Sequence, residues 1–185
     1  MGAFGQAICA TPPRVGGVQL LPFSAFHAQA LMELGSPFIT GDRDPTEGET
    51  VAALVVCTSR RRDGLRRVER LIRSPWKRFC WSITWLLIDH ASVANALAEH
   101  VTESAQCPET WEEVGDKGGT KTGADWPYYI VNVIARNLNG ISYDDIWDMP
   151  LGELICHKVI IGEDNGQLQI AERELAELRK PTAEG

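Results

Sequence analysis

Between residues 75 and 101 the apolar residues recur at intervals of three and four, and this spacing constrains the fold more than any other feature of the chain. Trp76, Phe79, Ile83, Leu86, Leu87, His90, Ala94, Leu97 and Val101 fall on one helical stripe. Ser74 is suited to cap such a helix, and Pro75 to open it, where no backbone N–H is needed. Fully burying one large apolar side chain contributes about 1.5–3 kcal/mol. A stripe of this length therefore predicts the spine of a helical core. Trp81 and Trp85 stand four apart on another face and, if exposed, mark a contact surface.

The rest of the chain supplies shorter helices to pack on that spine. Phe23, Phe26, Ala30, Leu31 and Leu34 predict a helix over Ser24 to Leu34, stopped by Gly35-Ser36-Pro37. Phe38-Ile39-Thr40 reads as a short extended stretch. Thr46 and Glu49 have capping-box spacing ahead of the apolar run Val51 to Cys57, which predicts a central helix, with a buried strand as the alternative. Further helices are expected from Asp125 to Leu138, burying Tyr129, Ile130, Val133, Ile134 and Leu138; from Ser142 to Met149; and from Leu151 to Ile161, burying Leu154, Ile155, Val159 and Ile160. Leu168, Ala171, Leu175 and Leu178 space as a charged amphipathic tail helix. The expectation is an all-α protein with at most a little short strand. A flexible arm (1–21) precedes one helical domain (22–180), and a frayed tail (181–185) follows it. Residues 102–124 read as a polar, Gly-rich loop.

Composition narrows the function. The net charge of −7 opposes a general nucleic-acid binder, which needs a basic face to displace counterions from phosphates. Five cysteines, widely spaced and odd in number, predict reduced thiols and neither a disulfide framework nor a zinc site. No apolar run approaches the roughly 20 residues that span a bilayer, and no secretory signal is evident, so a cytoplasmic protein is expected. The arginines from Arg60 to Arg67 read as the solvated side of a helix, with a phosphate-binding patch as the sharper alternative.

Nothing in the sequence assembles a catalytic site. Gly115 to Thr122 approaches the phosphate-binding pattern G-x-x-x-x-G-K-[ST], but Thr120 stands where the second glycine is required. No buried strand is expected ahead of it, so it reads as a polar linker. Neighbours in a helix point apart, so neither Cys156-His157 nor Asp89-His90 makes a nucleophile–base pair. Asp144 and Asp145 sit at a helix start, where carboxylates offset exposed N–H groups. No catalytic residue, cofactor or metal ligand is expected.

Leu21-Pro22-Phe23, Gly35-Ser36-Pro37-Phe38, the tryptophan-rich central segment, the run from Ile141 to Leu151 and the closing Gly162-Glu163-Asp164-Asn165-Gly166 with its charged tail together resemble small tailed-phage and prophage proteins. Such proteins are similar to the tail assembly chaperones encoded between tail-tube and tape-measure proteins. The resemblance covers residues 20–178 and is most distinctive at Trp147-Asp148-Met149-Pro150-Leu151. It implies a non-enzymatic helical protein, in the host cytoplasm, that binds an apolar helical client, the tape-measure protein. Trp81, Trp85, Trp147, Met149 and Leu151 are then the expected partner-binding residues, with ordinary core packing at a helix junction as the alternative reading of Trp147, Met149 and Leu151. No nucleic acid or membrane is expected as a partner, and self-association is allowed. The alternatives are a structural virion subunit (a head–tail connector or tail-completion protein) and a nucleotide-binding enzyme using the Gly-rich loop.

Overall fold

The computed structural model describes residues 12–15, 17–61, 66–67, 69–70, 73–74, 89–104, 111–113, 126–165 and 168–170, with 111–113 and 168–170 as backbone. Of the arm expected over 1–21, residues 1–11 and 16 lie outside the described residues, while 12–15 and 17–21 form a short ribbon and the chain that follows it. Arg14–Val15 (β1) and Val18–Gln19 (β2) pair antiparallel, with Val15 opposite Val18. Val15 and Leu20 turn into the core. The ribbon lacked a sequence signature because two residues per strand establish no period.

Residues 20–24 then cross the core as an extended strap. The Leu21 N–H donates to the Cys57 carbonyl (2.9 Å), and the Leu151 N–H donates to the Phe23 carbonyl (2.7 Å). His100 Nε2 donates to the Leu21 carbonyl (3.1 Å). Three remote segments thus satisfy backbone groups of a stretch that buries Leu20, Phe23 and Ser24 and makes no regular structure of its own.

Ala25–Glu33 (α1) follows, capped by Ser24, with Ala25, Phe26, His27, Ala28, Ala30 and Leu31 all buried. Burial on almost every side places α1 at the centre, and its alanines let neighbouring backbones approach. It ends in a Schellman turn: Gly35 at φ +61° donates to the Met32 carbonyl and Ser36 to that of Leu31. Pro37–Thr40 (α2) is one helical turn and not the extended stretch the sequence suggested. Pro37 presets φ at the first position, and Gly41 closes the turn at φ +64° by donating to the Pro37 carbonyl (2.8 Å).

Glu47–Cys57 (α3) is a helix, which settles the strand alternative. Its capping box is formed: the Thr46 N–H donates to Glu49 Oε2 (2.8 Å), and Thr46 Oγ1 accepts from the Glu49 N–H (3.4 Å). The Arg43 guanidinium bridges to Glu49 and, with the Thr46 contacts, holds that carboxyl well below the usual carboxylate range. His90–Ser104 (α4) buries Val93, Leu97, His100 and Val101. Of the helix expected from Pro75 to Val101, the described part is helical from His90 on. There Asp89 acts as a cap, its Oδ1 accepting from the Ser92 N–H (3.4 Å) and its carbonyl from Val93 (3.1 Å). Residues 75–88 lie outside the described residues.

Trp111–Glu113 (β3) pairs antiparallel with Leu168–Ile170 (β4), Trp111 opposite Ile170. Both sequence expectations here are corrected: the 102–124 loop contains a strand, and the tail begins as a strand. Leu168-Gln169-Ile170 alternates with period two, a signal too short to outweigh the helical spacing that runs on to Leu178. The remainder of the tail and Gly115 to Thr122 lie outside the described residues.

Trp126–Asn137 (α5), Tyr143–Asp148 (α6) and Leu151–Asp164 (α7) complete the fold. On α5 the buried stripe is Ile130, Val131 and Ile134, so Tyr129, expected inside, lies off its edge at 53% exposure. Ile160 of α7 was likewise expected inside and is 46% exposed, because Leu154, Ile155 and Val159 centre the buried face elsewhere. Helix α1 packs on α2, α3, α5 and α6; α7 packs on α5, α3 on α4, and β4 on α7. The described residues thus form an all-α fold of seven helices with two short ribbons around one apolar core. Among them, no helix is long and apolar enough to cross a membrane.

Candidate interaction site

Two constellations of polar side chains stand out. The first gathers on α6, where Ser142 caps the helix (Asp145 N–H to Ser142 Oγ, 3.1 Å) and the short turn presents Tyr143, Asp144, Trp147 and Asp148. Arg61, just beyond α3, is fastened to this helix twice. Its backbone N–H donates to Asp148 Oδ1 (2.9 Å), and its guanidinium donates to Asp144 Oδ1 (2.5 Å). The guanidinium carbon lies 5.1 Å from the centroid of the Trp147 ring and 5.6 Å from that of Tyr143, within cation–π range.

Trp147 is the hub. The edges of Tyr128 from α5 and Tyr143 meet it at centroid distances of 4.8 and 6.3 Å, with interplanar angles of 78° and 76°. Trp147 is 2% exposed, whereas Tyr128 and Tyr143 are each 42% exposed. The buried indole Nε1 has no hydrogen-bond acceptor among the described residues. Beside this cluster Lys158 of α7 lies over the exposed Tyr129 ring at 5.7 Å. The result is a pair of half-exposed tyrosines packed on one indole, with the Arg61 guanidinium over Tyr143.

The second constellation is interior. The Ser24 N–H donates to His27 Nδ1 (3.0 Å), which leaves His27 Nε2 to donate to the Ser59 carbonyl (3.0 Å). His27 thus serves as the third residue of a capping box, a place usually held by Glu or Gln. Burial pushes its pKa down to about 4, the proximity of His100 adds to this, and the Ser59 contact offsets only part. Burial also lowers His100. The Phe23 ring stands between the two imidazoles, 5.7 Å from one and 5.9 Å from the other. Both histidines are neutral core residues that hold the strap and not acid–base groups at a surface.

Of the residues expected at a partner surface, Trp81 and Trp85 lie outside the described residues. Trp147 and Leu151 face the core and Met149 is half-buried against it. These three are internal supports in this conformation, and the accessible surface belongs to their neighbours Tyr128 and Tyr143. Sequence reasoning passed over both tyrosines and Arg61. Tyr128 carried a signal, lying outside the apolar stripe of its helix; Arg61 carried none that set it apart from the arginines around it. His157 Nε2 lies 3.9 Å from Glu153 Oε1, one turn back on the same helix, and Cys156 is buried. Among the described residues no group of three or more His, Cys, Asp or Glu is placed to hold a metal ion.

No family model, curated protein or solved structure matches the chain. The site's reading therefore rests on its own chemistry. Two half-exposed aromatic rings packed on Trp147, with the ion-paired Arg61 over Tyr143, offer contact area at little cost in side-chain entropy.

Proposed function

We propose that this protein is a tail-assembly chaperone-type binder that shields an apolar helical segment of a tape-measure protein in the host cytoplasm until tube subunits assemble around it. The observation that carries this reading is the pair of half-exposed tyrosines, Tyr128 and Tyr143, seated on Trp147. Aromatic anchors backed by a packed layer dominate binding energy at protein interfaces. An apolar stripe on a client helix is the complementary shape. The all-α fold and the resemblance of the segment from Ile141 to Leu151 to phage tail assembly chaperones point the same way.

Co-expression with the tape-measure protein of the same gene cluster, followed by pull-down, tests the reading. The wild type should retain that protein in soluble form. Tyr128→Ala with Tyr143→Ala should weaken the complex by about 2 kcal/mol or more, as loss of interface anchors does. The melting temperature should fall modestly, since each ring gives up an edge contact with Trp147 worth about 0.5–1.5 kcal/mol, while the variant stays folded. A wild-type protein that neither solubilises nor retains the tape-measure product sinks the chaperone reading and favours a structural virion subunit.

A further inference from the structure

The outward face of α5 carries the aromatic site beyond Tyr128 and Tyr143. At 3.6 residues per turn, Tyr129, Asn132 and Arg136 fall along one line, opposite the buried Ile130, Val131 and Ile134. All three are exposed. Tyr128 stands one step round the helix from Tyr129, on the side where α6 supplies Trp147. Lys158 of α7 lies over the Tyr129 ring, 5.7 Å from its centroid. Arg136 follows Tyr129 by about two turns, roughly 10 Å along the axis. Tyrosine rings and two cations therefore share one surface, carried by α5 and the two helices packed on it.

The charges on this surface are not balanced. From Trp126 to Asn137, α5 contains neither Asp nor Glu. The carboxylates of α6 have partners inside the fold: Asp144 takes the Arg61 guanidinium, Asp148 the Arg61 N–H, and Asp145 the Ser142 hydroxyl (2.6 Å). On α7, Glu153 stands beside His157 one turn on, and Asp164 closes the helix. Arg136 and Lys158, in contrast, form no ion pair among the described residues. A chain of net charge −7 thus sets two unanswered cations beside its exposed tyrosines. Carboxylates on a partner are the complement of that arrangement.

We propose that the client helix lies along α5, its apolar side on Tyr128 and Tyr129 and two carboxylates, about two turns apart, on Lys158 and Arg136. The proposal rests on the binding role assigned above and adds the line and the charge of the partner. Two labelled synthetic helical peptides test it against the whole chain. They share a leucine face and carry either glutamate or lysine at two flanking positions seven residues apart. Fluorescence anisotropy should show the glutamate peptide binding about tenfold more tightly, two attractive pairs replacing two repulsive ones, with the advantage shrinking as salt rises. The overall charge of −7 acts in the opposite sense, so a glutamate preference reports cations at the site itself. R136E/K158E should reverse the preference, whereas Y128A/Y129A should weaken both peptides and leave the salt dependence unchanged. If the reversed variant fails to fold, R136Q/K158Q should abolish the preference instead. Equal affinity, a lysine preference, no binding of either peptide, or a glutamate preference untouched by the charge variants overturns the proposal. Self-association in sedimentation that R136E/K158E abolishes, with no peptide preference, overturns it in favour of a second copy of this chain. Binding of a labelled single-stranded oligonucleotide lost in the same variant, again with no peptide preference, overturns it in favour of nucleic acid. Failure of the tape-measure pull-down alongside an intact glutamate preference removes the chaperone assignment and leaves the acidic-helix specificity standing.

Discussion

Lowering the pH from 7.5 to 5 should destabilise this protein by about 2 kcal/mol through His27 alone. The folded imidazole has its pKa pushed down to about 4, from an ordinary value of 6.5. Between those values the unfolded chain binds the proton and the folded chain does not, so stability rises with pH across the window and is lost as pH falls through it. The cause is structural: Nδ1 is already occupied as acceptor for the Ser24 N–H, and the ring is enclosed by Phe23 and Phe26. Protonating Nδ1 would break that bond and leave a charge in the core. Glu49, whose carboxyl is held low, loses its contribution only below the ordinary carboxylate range, so the window from pH 5 to 7.5 isolates the histidines. Urea denaturation at a series of pH values measures the slope. His27→Gln supplies the control, because Gln at this position of a capping box can still accept the Ser24 N–H and does not titrate. His100, also lowered by burial, will retain a residual slope of its own in that variant. A His27→Gln protein whose stability falls with acid as steeply as the wild type would refute the reasoning.

Two further substitutions probe the scaffold. Thr46→Ala should remove the side-chain acceptor for the Glu49 N–H at the start of α3 and cost about 1 kcal/mol in chemical denaturation, as the loss of a helix cap does. Leu97→Ala on α4, fully buried in the core, should cost about 2–5 kcal/mol and lower the thermal midpoint accordingly.

Elements with two independent local signals were legible in the sequence. Helix α3 combined a capping box with an apolar run, and α1 combined Ser24, a periodic stripe and Gly35, so both were found nearly to the residue. Where one signal stood alone, the reading went astray. Phe38-Ile39-Thr40 carries β-forming side chains, yet Pro37 and Gly41 decide its backbone. The ribbon strands are too short to show a period, and β3 finds its partner more than fifty residues away. The site was half legible for the same reason. The sequence directs attention to the segment from Ile141 to Leu151, but its most conspicuous residue, Trp147, spends its ring on the core. Which residues around an indole remain accessible is set by how α5 crosses α6, and that is tertiary information. Arg61 differs from its neighbours only through Asp144 and Asp148, both more than eighty residues downstream.

The strap over residues 20–24 has a consequence for how the molecule comes into being. Its backbone partners are Cys57, His100 and Leu151, each contributed by a different helix or its edge. Contacts between residues so remote in sequence require most of the intervening chain to be placed first, and they slow folding through the entropy of closing large loops. During synthesis the strap emerges from the ribosome well before Leu151 does, a delay of roughly ten seconds at ordinary elongation rates. Throughout that interval the Phe23 carbonyl lacks its native donor, the Leu151 N–H. The strap's hydrogen bond to Leu151 therefore waits for residues close to the other end of the described helical core, although the strap itself is made long before them.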